Sequence, residues 1–231
     1  MQAPGTYNHS VIVGTLAEAA AEAIGAGALL CRVAAYYHDI GKMKKPEYFI
    51  ENSQQEAIKR HEKLSPTMSS LIILSHVKDG AKLARDYHLP RPIEDFILQH
   101  HGTRLITYFF KKAKKMEDRG IQEVSESNFR YPGPKPQSKE AAIFMMADSV
   151  EAAARTVEEP TPAKFNDLIR QIVNAVILDD QLSETELTFS DLDRIQRSFE
   201  VTLASIYHHR IEYPGFRFED RPGRERITLP A

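Results

Sequence analysis

Cysteine is all but missing from this 231-residue chain, where Cys31 stands alone. One thiol excludes an intramolecular disulfide and cannot by itself supply a thiolate metal site. It fits a reducing cytosolic setting. A charge excess is missing too: 30 Lys and Arg against 32 Asp and Glu leave a net −2. That balance argues against a nucleic-acid polymer as partner, since such binders carry a clear basic excess. No apolar run is long enough to cross a bilayer, and the first ten residues lack the apolar stretch of a secretory signal. There is no strand-like alternation long enough for a sheet and no internal repeat. What is left is the composition of a soluble domain, 42% hydrophobic and 27% charged, with length for one sizeable core.

Helical periodicity fills that length and predicts an all-α fold. An Ala- and Leu-rich helix is expected from about residue 8 to 24, before Gly25 and Gly27, and a second from 28 to His38. Residues 42–60, with Pro46 near their start, read as irregular or briefly helical. Ser65-Pro66 reads as an N-cap with proline at the first helical position, opening a helix to about His88. Further helices are expected over about 93–101, 105–118, 139–157, 162–178 and 188–210. The prolines of Tyr131-Pro132-Gly133-Pro134-Lys135-Pro136 make that stretch an extended loop. The whole of 1–231 is expected to be one domain, with its core over about 5–210 and a loose tail over about 221–231.

Nine histidines are the unusual presence. His38-Asp39 joins an imidazole to a carboxylate that has two oxygens and can bridge two ions. His9, His76, His100 and Asp148 each stand three or four residues from apolar members of their own helix, which puts them on buried faces. Taken singly, each histidine is as compatible with packing against a backbone carbonyl as with ligation. Asp148, embedded in Ile143-Phe144-Met145-Met146-Ala147, needs a metal or an arginine as partner, because an unpaired carboxylate there costs several kcal/mol. His100 and His101, about 100° apart around one helix end, can reach a common cavity. Several helices sending imidazoles and carboxylates inward is how helical proteins build metal centres.

The order His…His-Asp…His…His-His…Asp resembles that of HD-domain phosphohydrolases with a dinuclear site. The surrounding words are more specific: His38-Asp39-Ile40-Gly41-Lys42, His61-Glu62-Lys63-Leu64-Ser65-Pro66, Ser75-His76-Val77-Lys78-Asp79-Gly80, Gln99-His100-His101-Gly102-Thr103, Tyr131-Pro132-Gly133-Pro134 and Ala147-Asp148-Ser149-Val150-Glu151-Ala152. Over about residues 5–210 they resemble the cytoplasmic HD domain of bacterial seven-transmembrane HD proteins, the PgpH type. That resemblance implies an HD-domain helical bundle that hydrolyses cyclic di-AMP, a small-molecule substrate, to linear pApA through a metal-bridging hydroxide. It implies one metal on His9, His38 and Asp148 and another on His76, His100 and His101, with Asp39 bridging. It also implies a cytoplasmic domain excised from a larger inner-membrane protein, reaching the membrane only through a missing N-terminal region. A candidate ligand as early as His9 fits that expectation.

Five imidazoles and two carboxylates without thiolate suit divalent transition metals, and the high coordination number favours Fe or Mn over tetrahedral Zn. Two such ions, two carboxylates and a hydroxide leave a charge of about +1, attractive to a phosphodiester. Asp39, His38 and Lys42 are the expected catalytic residues. Lys42, Thr103, Tyr108, Tyr131 and Lys135 are the candidates for substrate contact. Lys42 is as readily a solvated lysine after a turn, and Thr103 as readily a helix cap. Glu151 and Arg155, four apart, read as a helix-surface pair; His61 is expected to help shape a substrate loop, and His88, His208 and His209 to be surface or packing residues. The rival readings are an HD hydrolase of another nucleotide (a dNTP, ppGpp or cyclic di-GMP) and a module that senses a dinucleotide without cleaving it. The sequence leaves the oligomeric state open.

Overall fold

The computed structural model describes residues 2–117 and 124–207. Among them are nine α-helices, no strand and one isolated antiparallel bridge, Leu105 to Arg130. The helices are α1 (Pro4–Ile24), α2 (Ala28–Ala35), α3 (Gln54–Glu62), α4 (Pro66–Asp86), α5 (Arg91–Gln99), α6 (Thr107–Glu117), α7 (Lys139–Ala154), α8 (Pro162–Leu178) and α9 (Phe189–Ile206). His208, His209 and the tail beyond residue 220 lie outside the described residues.

Capping chemistry sets several of these starts. Ser65 accepts from the Met68 amide, Ser138 from Ala141 and Thr161 from Lys164. Thr188 and Asp191 form a reciprocal capping box at the head of α9. Pro66 stands in the first turn of α4, where its missing N–H costs nothing.

The α7 sequence is apolar on all sides, and such a helix must be surrounded. Ala141 through Asp148 are all buried. α1, α2, α5 and α8 pack around this helix, α1 also lies against α2 and α9, and α8 pairs with α9. Val13, Leu16, Ile97, Phe144, Phe165 and Phe199 belong to the resulting core. A smaller cluster of Phe109, Ala113 and Phe129, joined by Ile73, fastens α6 to α4.

One differing boundary bears on the site. α2 stops at Ala35, and tighter bonds such as Tyr37 N–H to Ala34 O carry the chain into a 3₁₀ turn at Ile40–Lys44. His38 and Asp39 therefore sit in a turn rather than on a helix. The segment expected to be irregular or briefly helical contains the short α3, whose one buried residue is Ala57. His61 ties α3 down by donating from Nε2 to the Tyr48 carbonyl at 2.9 Å.

Candidate metal centre

Five elements converge on one interior point. α1 brings His9, the turn after α2 brings His38 and Asp39, α4 brings His76, the end of α5 brings His100 and His101, and α7 brings Asp148. The approach of the turn to α4 depends on glycine. A Cβ on Gly41 would stand 1.9 Å from the His76 carbonyl oxygen, and one on Gly80 would stand 3.3 Å from the Gly41 nitrogen. At Gly102, φ is +52°, and a Cβ would meet Gln181 Oε1 at 2.3 Å. The chain can thus turn sharply just after His101.

Asp39, 2% exposed, is the centre of the arrangement. Its Oδ2 lies 3.2 Å from His38 Nε2 and 3.7 Å from His9 Nε2. Its Oδ1 lies 3.4 Å from His76 Nε2 and 3.7 Å from His100 Nε2. The two oxygens face two different sets of imidazoles. Candidate ligand atoms of Asp39, His76, His100 and His101 fall within 4.8 Å of one another, as do those of His9, His38 and Asp39. Asp148 closes the ring, with Oδ1 2.9 Å from His9 Nε2 and Oδ2 3.6 Å from His101 Nδ1.

The imidazoles are held from behind. Nδ1 of His38, His76 and His100 each faces the carbonyl three residues earlier: Ala35 at 2.9 Å, Ile73 at 2.6 Å and Ile97 at 2.8 Å. A proton on Nδ1 leaves each Nε2 lone pair aimed at the centre. His9 reaches the same result with a carboxylate, its Nδ1 meeting the buried Glu151. Ligating histidines are characteristically braced in this way.

The chemistry of the donor set fits divalent cations. His38 Nε2 and both Asp39 oxygens are buried without a hydrogen-bond partner, which an apolar interior does not tolerate without compensation. Lys42 Nζ comes within 2.7 Å of Asp39 Oδ2, so part of that charge is matched. Protons show the same demand for positive charge. Burial opposes charging of His38, yet Asp39 and Asp148 push its pKa up to about 10. Burial likewise opposes charging of His9, and its bonds to Asp148 and Glu151 raise it. Burial would lift the Asp39 carboxyl, but His38 and Lys42 hold it well below the usual range. On the other side burial drives His76 down to about 3 against the pull of Asp39, and burial with the charge of His100 lowers His101 as well.

A cavity of about 220 Å³ opens over this centre, lined by His9, His76, His101, Asp148, Lys42 and Tyr131 among others. Lys42 is no solvated lysine: its side chain is 13% exposed and its Nζ also meets Glu51 Oε1 at 2.8 Å. The Tyr131 ring leans on His101, with centroids 4.2 Å apart. Thr103 lies in a neighbouring cleft that shares Tyr131, and it neither caps a helix nor reaches the metal cavity. Its hydroxyl accepts from Gln181 Nε2 at 2.9 Å. Tyr108 is 70% exposed on α6, and Lys135 is tied to Asp180 at 2.6 Å; neither lines the metal cavity or the cleft.

Glu151 and Arg155 do pair, but only the arginine is at the surface. Glu151 is fully buried behind His9, and Arg155 lines the cavity. Only the Arg155 end of the pair reaches solvent, because the Glu151 carboxylate is enclosed. Glu51, which accepts from Lys42 and from Thr6, is the residue that sequence reasoning missed altogether. It sits in a loop, where no periodicity marks it.

Comparison with known proteins identifies the family of the chain. Over 213 residues, 92% of its length, the chain is 52% identical to the cyclic-di-AMP phosphodiesterase PgpH of Bacillus subtilis, and it spans 29% of that protein. It is 50% identical to the PgpH of Listeria monocytogenes, again spanning 29% of the relative. The chain thus covers less than a third of these relatives. The crystal structure of the L. monocytogenes PgpH HD domain in complex with cyclic-di-AMP superposes with a TM-score of 0.85 at 49% identity, covering 92% of this chain and 96% of that one. The family model described as HD domain matches residues 6–153, the span that runs from α1 past Asp148. The chain belongs to the HD domain family.

Proposed function

We propose that this chain is the catalytic domain of a metal-dependent phosphodiesterase that opens cyclic di-AMP to linear pApA. The observation that carries the reading is Asp39, buried, met by Lys42 at Oδ2 and faced by a separate pair of imidazoles on each oxygen. The names of the PgpH relatives and the cyclic-di-AMP complex of the Listeria HD domain support the choice of substrate. We read the domain as the cytoplasmic part of a longer membrane protein. Among its described residues no helix is long and apolar enough to cross a membrane.

In this reading His9, His38 and Asp148 would hold one cation and His76, His100 and His101 another, with Asp39 available to both. Imidazole and carboxylate donors in this number favour Fe or Mn. Bound divalent cations supply Lewis acidity toward the phosphodiester oxygens and lower the pKa of the attacking water. The net reaction adds water across one P–O3′ bond: phosphorus gains the hydroxyl, and the departing ribose 3′-oxygen gains the proton. The protein fixes the geometry. Braced imidazoles spend no reorganisation when charge develops, and Lys42, held between Asp39 and Glu51, keeps a positive charge at the cavity wall. Tyr131 borders the same space and offers a face for an adenine.

The test is metal content of protein prepared without chelator, followed by turnover of cyclic di-AMP beside cyclic di-GMP, dNTPs and ppGpp. Two metals per chain and preference for cyclic di-AMP are expected, with no turnover by Asp39→Ala. A preference for dNTPs or ppGpp, or an active Asp39→Ala variant, overturns the reading.

A further inference from the structure

Cyclic di-AMP carries two phosphodiesters, and a metal centre engages only the one being cut. The other keeps its negative charge beside a cavity walled by the carboxylates of Asp148, Glu51 and Glu151. A second cation at the wall is needed. Lys42 is already matched by Asp39 and Glu51 at 2.7 and 2.8 Å.

We infer that Arg155 binds the second, uncleaved phosphodiester; the inference rests on the proposed cyclic di-AMP activity. Asp148, Glu151 and Ala152 line the cavity from one face of α7, and Arg155, the helical C-cap residue, continues that face. Arg155 lies two turns beyond Asp148, about 10 Å along the axis. Side chains on a helix lean toward its N-terminus, so the guanidinium reaches back toward the metal centre. Its Nε is engaged by Glu151 Oε1. Its side chain makes no other hydrogen bond or ion pair among the described residues, which leaves both Nη groups free to fork onto a phosphate. The side chain is 31% exposed, open to ligand but aimed by its anchor. That anchor is the same carboxylate that braces His9.

The closing experiment compares two ligands that both carry two adenosines. Cyclic di-AMP has two phosphodiesters, and the linear dinucleoside ApA has one. Wild type, Arg155→Gln and Arg155→Lys are loaded with metal, assayed for content, and followed for KM and kcat on each substrate. Calorimetry with the phosphorothioate analogue of cyclic di-AMP gives affinity without turnover. Arg155→Gln is expected to raise KM for cyclic di-AMP and weaken the analogue about 10- to 100-fold. Values for ApA should move less than about threefold, metal content should hold, and Arg155→Lys should recover part of the loss. Equal losses on both ligands or a fall in metal content would show that Arg155 acts only through Glu151 and His9, and no loss on either would show that it does not bind the phosphodiester. A wild type that fails to turn over cyclic di-AMP at all would instead fault the proposed activity.

Discussion

Gly41 and Gly80 meet backbone to backbone, so that the turn bearing His38 and Asp39 rests directly on α4 beside His76. A methyl group on Gly41 would lie 1.9 Å from the His76 carbonyl oxygen and 2.6 Å from the Gly80 nitrogen, both rigid backbone atoms. The overlap can be relieved only by moving the turn away from α4. Gly41→Ala should therefore destabilise by about 3 kcal/mol, the upper end for overpacking, measured by urea unfolding. Because the same shift draws Asp39 away from His76, metal content should drop with it. Wild-type stability with full metal loading would refute this account of the glycine pair.

Glu151 braces His9 from within the core and touches no candidate ligand other than that one. Glu151→Gln keeps the shape but removes the charge that favours a proton on Nδ1. Metal affinity measured by competition with a chelator should weaken about 10- to 100-fold, the usual effect of such bracing groups. Loss confined to one of two ions would place the effect on the His9 side. Unchanged affinity at both ions would mean the imidazole needs no such support.

Thr188 offers the opposite kind of test, since its hydroxyl accepts from the Asp191 amide at 3.1 Å and stands at the head of α9, which contributes no candidate ligand. Thr188→Ala should cost about 1 kcal/mol in thermal or urea unfolding. Metal content and turnover at temperatures where the variant is folded should match wild type. Impaired turnover there would mean that α9 communicates with the centre.

The candidate ligands were legible because burial and polarity conflict in them. A carboxylate following Ile143-Phe144-Met145-Met146-Ala147 and two imidazoles closing a helix before Gly102 need partners, and periodicity already places them inward. The helices were legible for the same reason, down to the Ser65-Pro66 start of α4. The supporting shell was not. Glu51 acts from a loop without a repeating pattern, and Gly41 matters only because α4, more than thirty residues later in sequence, passes it at contact distance. Glu151 and Arg155 have the spacing of an exposed pair, and only the neighbours wrapped around α7 reveal that one of them is enclosed. Tyr108 and Lys135 look like suitable substrate contacts by residue type, but type carries no direction, and their side chains serve other places.

The protons that compensate the buried carboxylates make the metal-free protein sensitive to pH on both sides of neutrality. His38 holds a folded-state pKa of about 10 against an ordinary 6.5. The stability it contributes is fully present below 6.5 and is lost as pH rises toward about 10, because the unfolded chain no longer takes up that proton. His9 is raised as well and acts in the same direction. His76 is the reverse case, down at about 3 from 6.5. Between those values the unfolded chain binds a proton that the folded one refuses, so stability falls as pH drops below 6.5. Chelated protein should then melt highest near pH 6.5 and lose stability toward both pH 9 and pH 4.5. Bound divalent cations replace the protons on His9 and His38, so metal-loaded protein should lack the alkaline loss, and metal uptake near pH 7 should release protons detectable in a weakly buffered solution. Melting curves of the two forms that stay parallel from pH 6.5 to 9 would mean that protons do not stand in for metal at this centre.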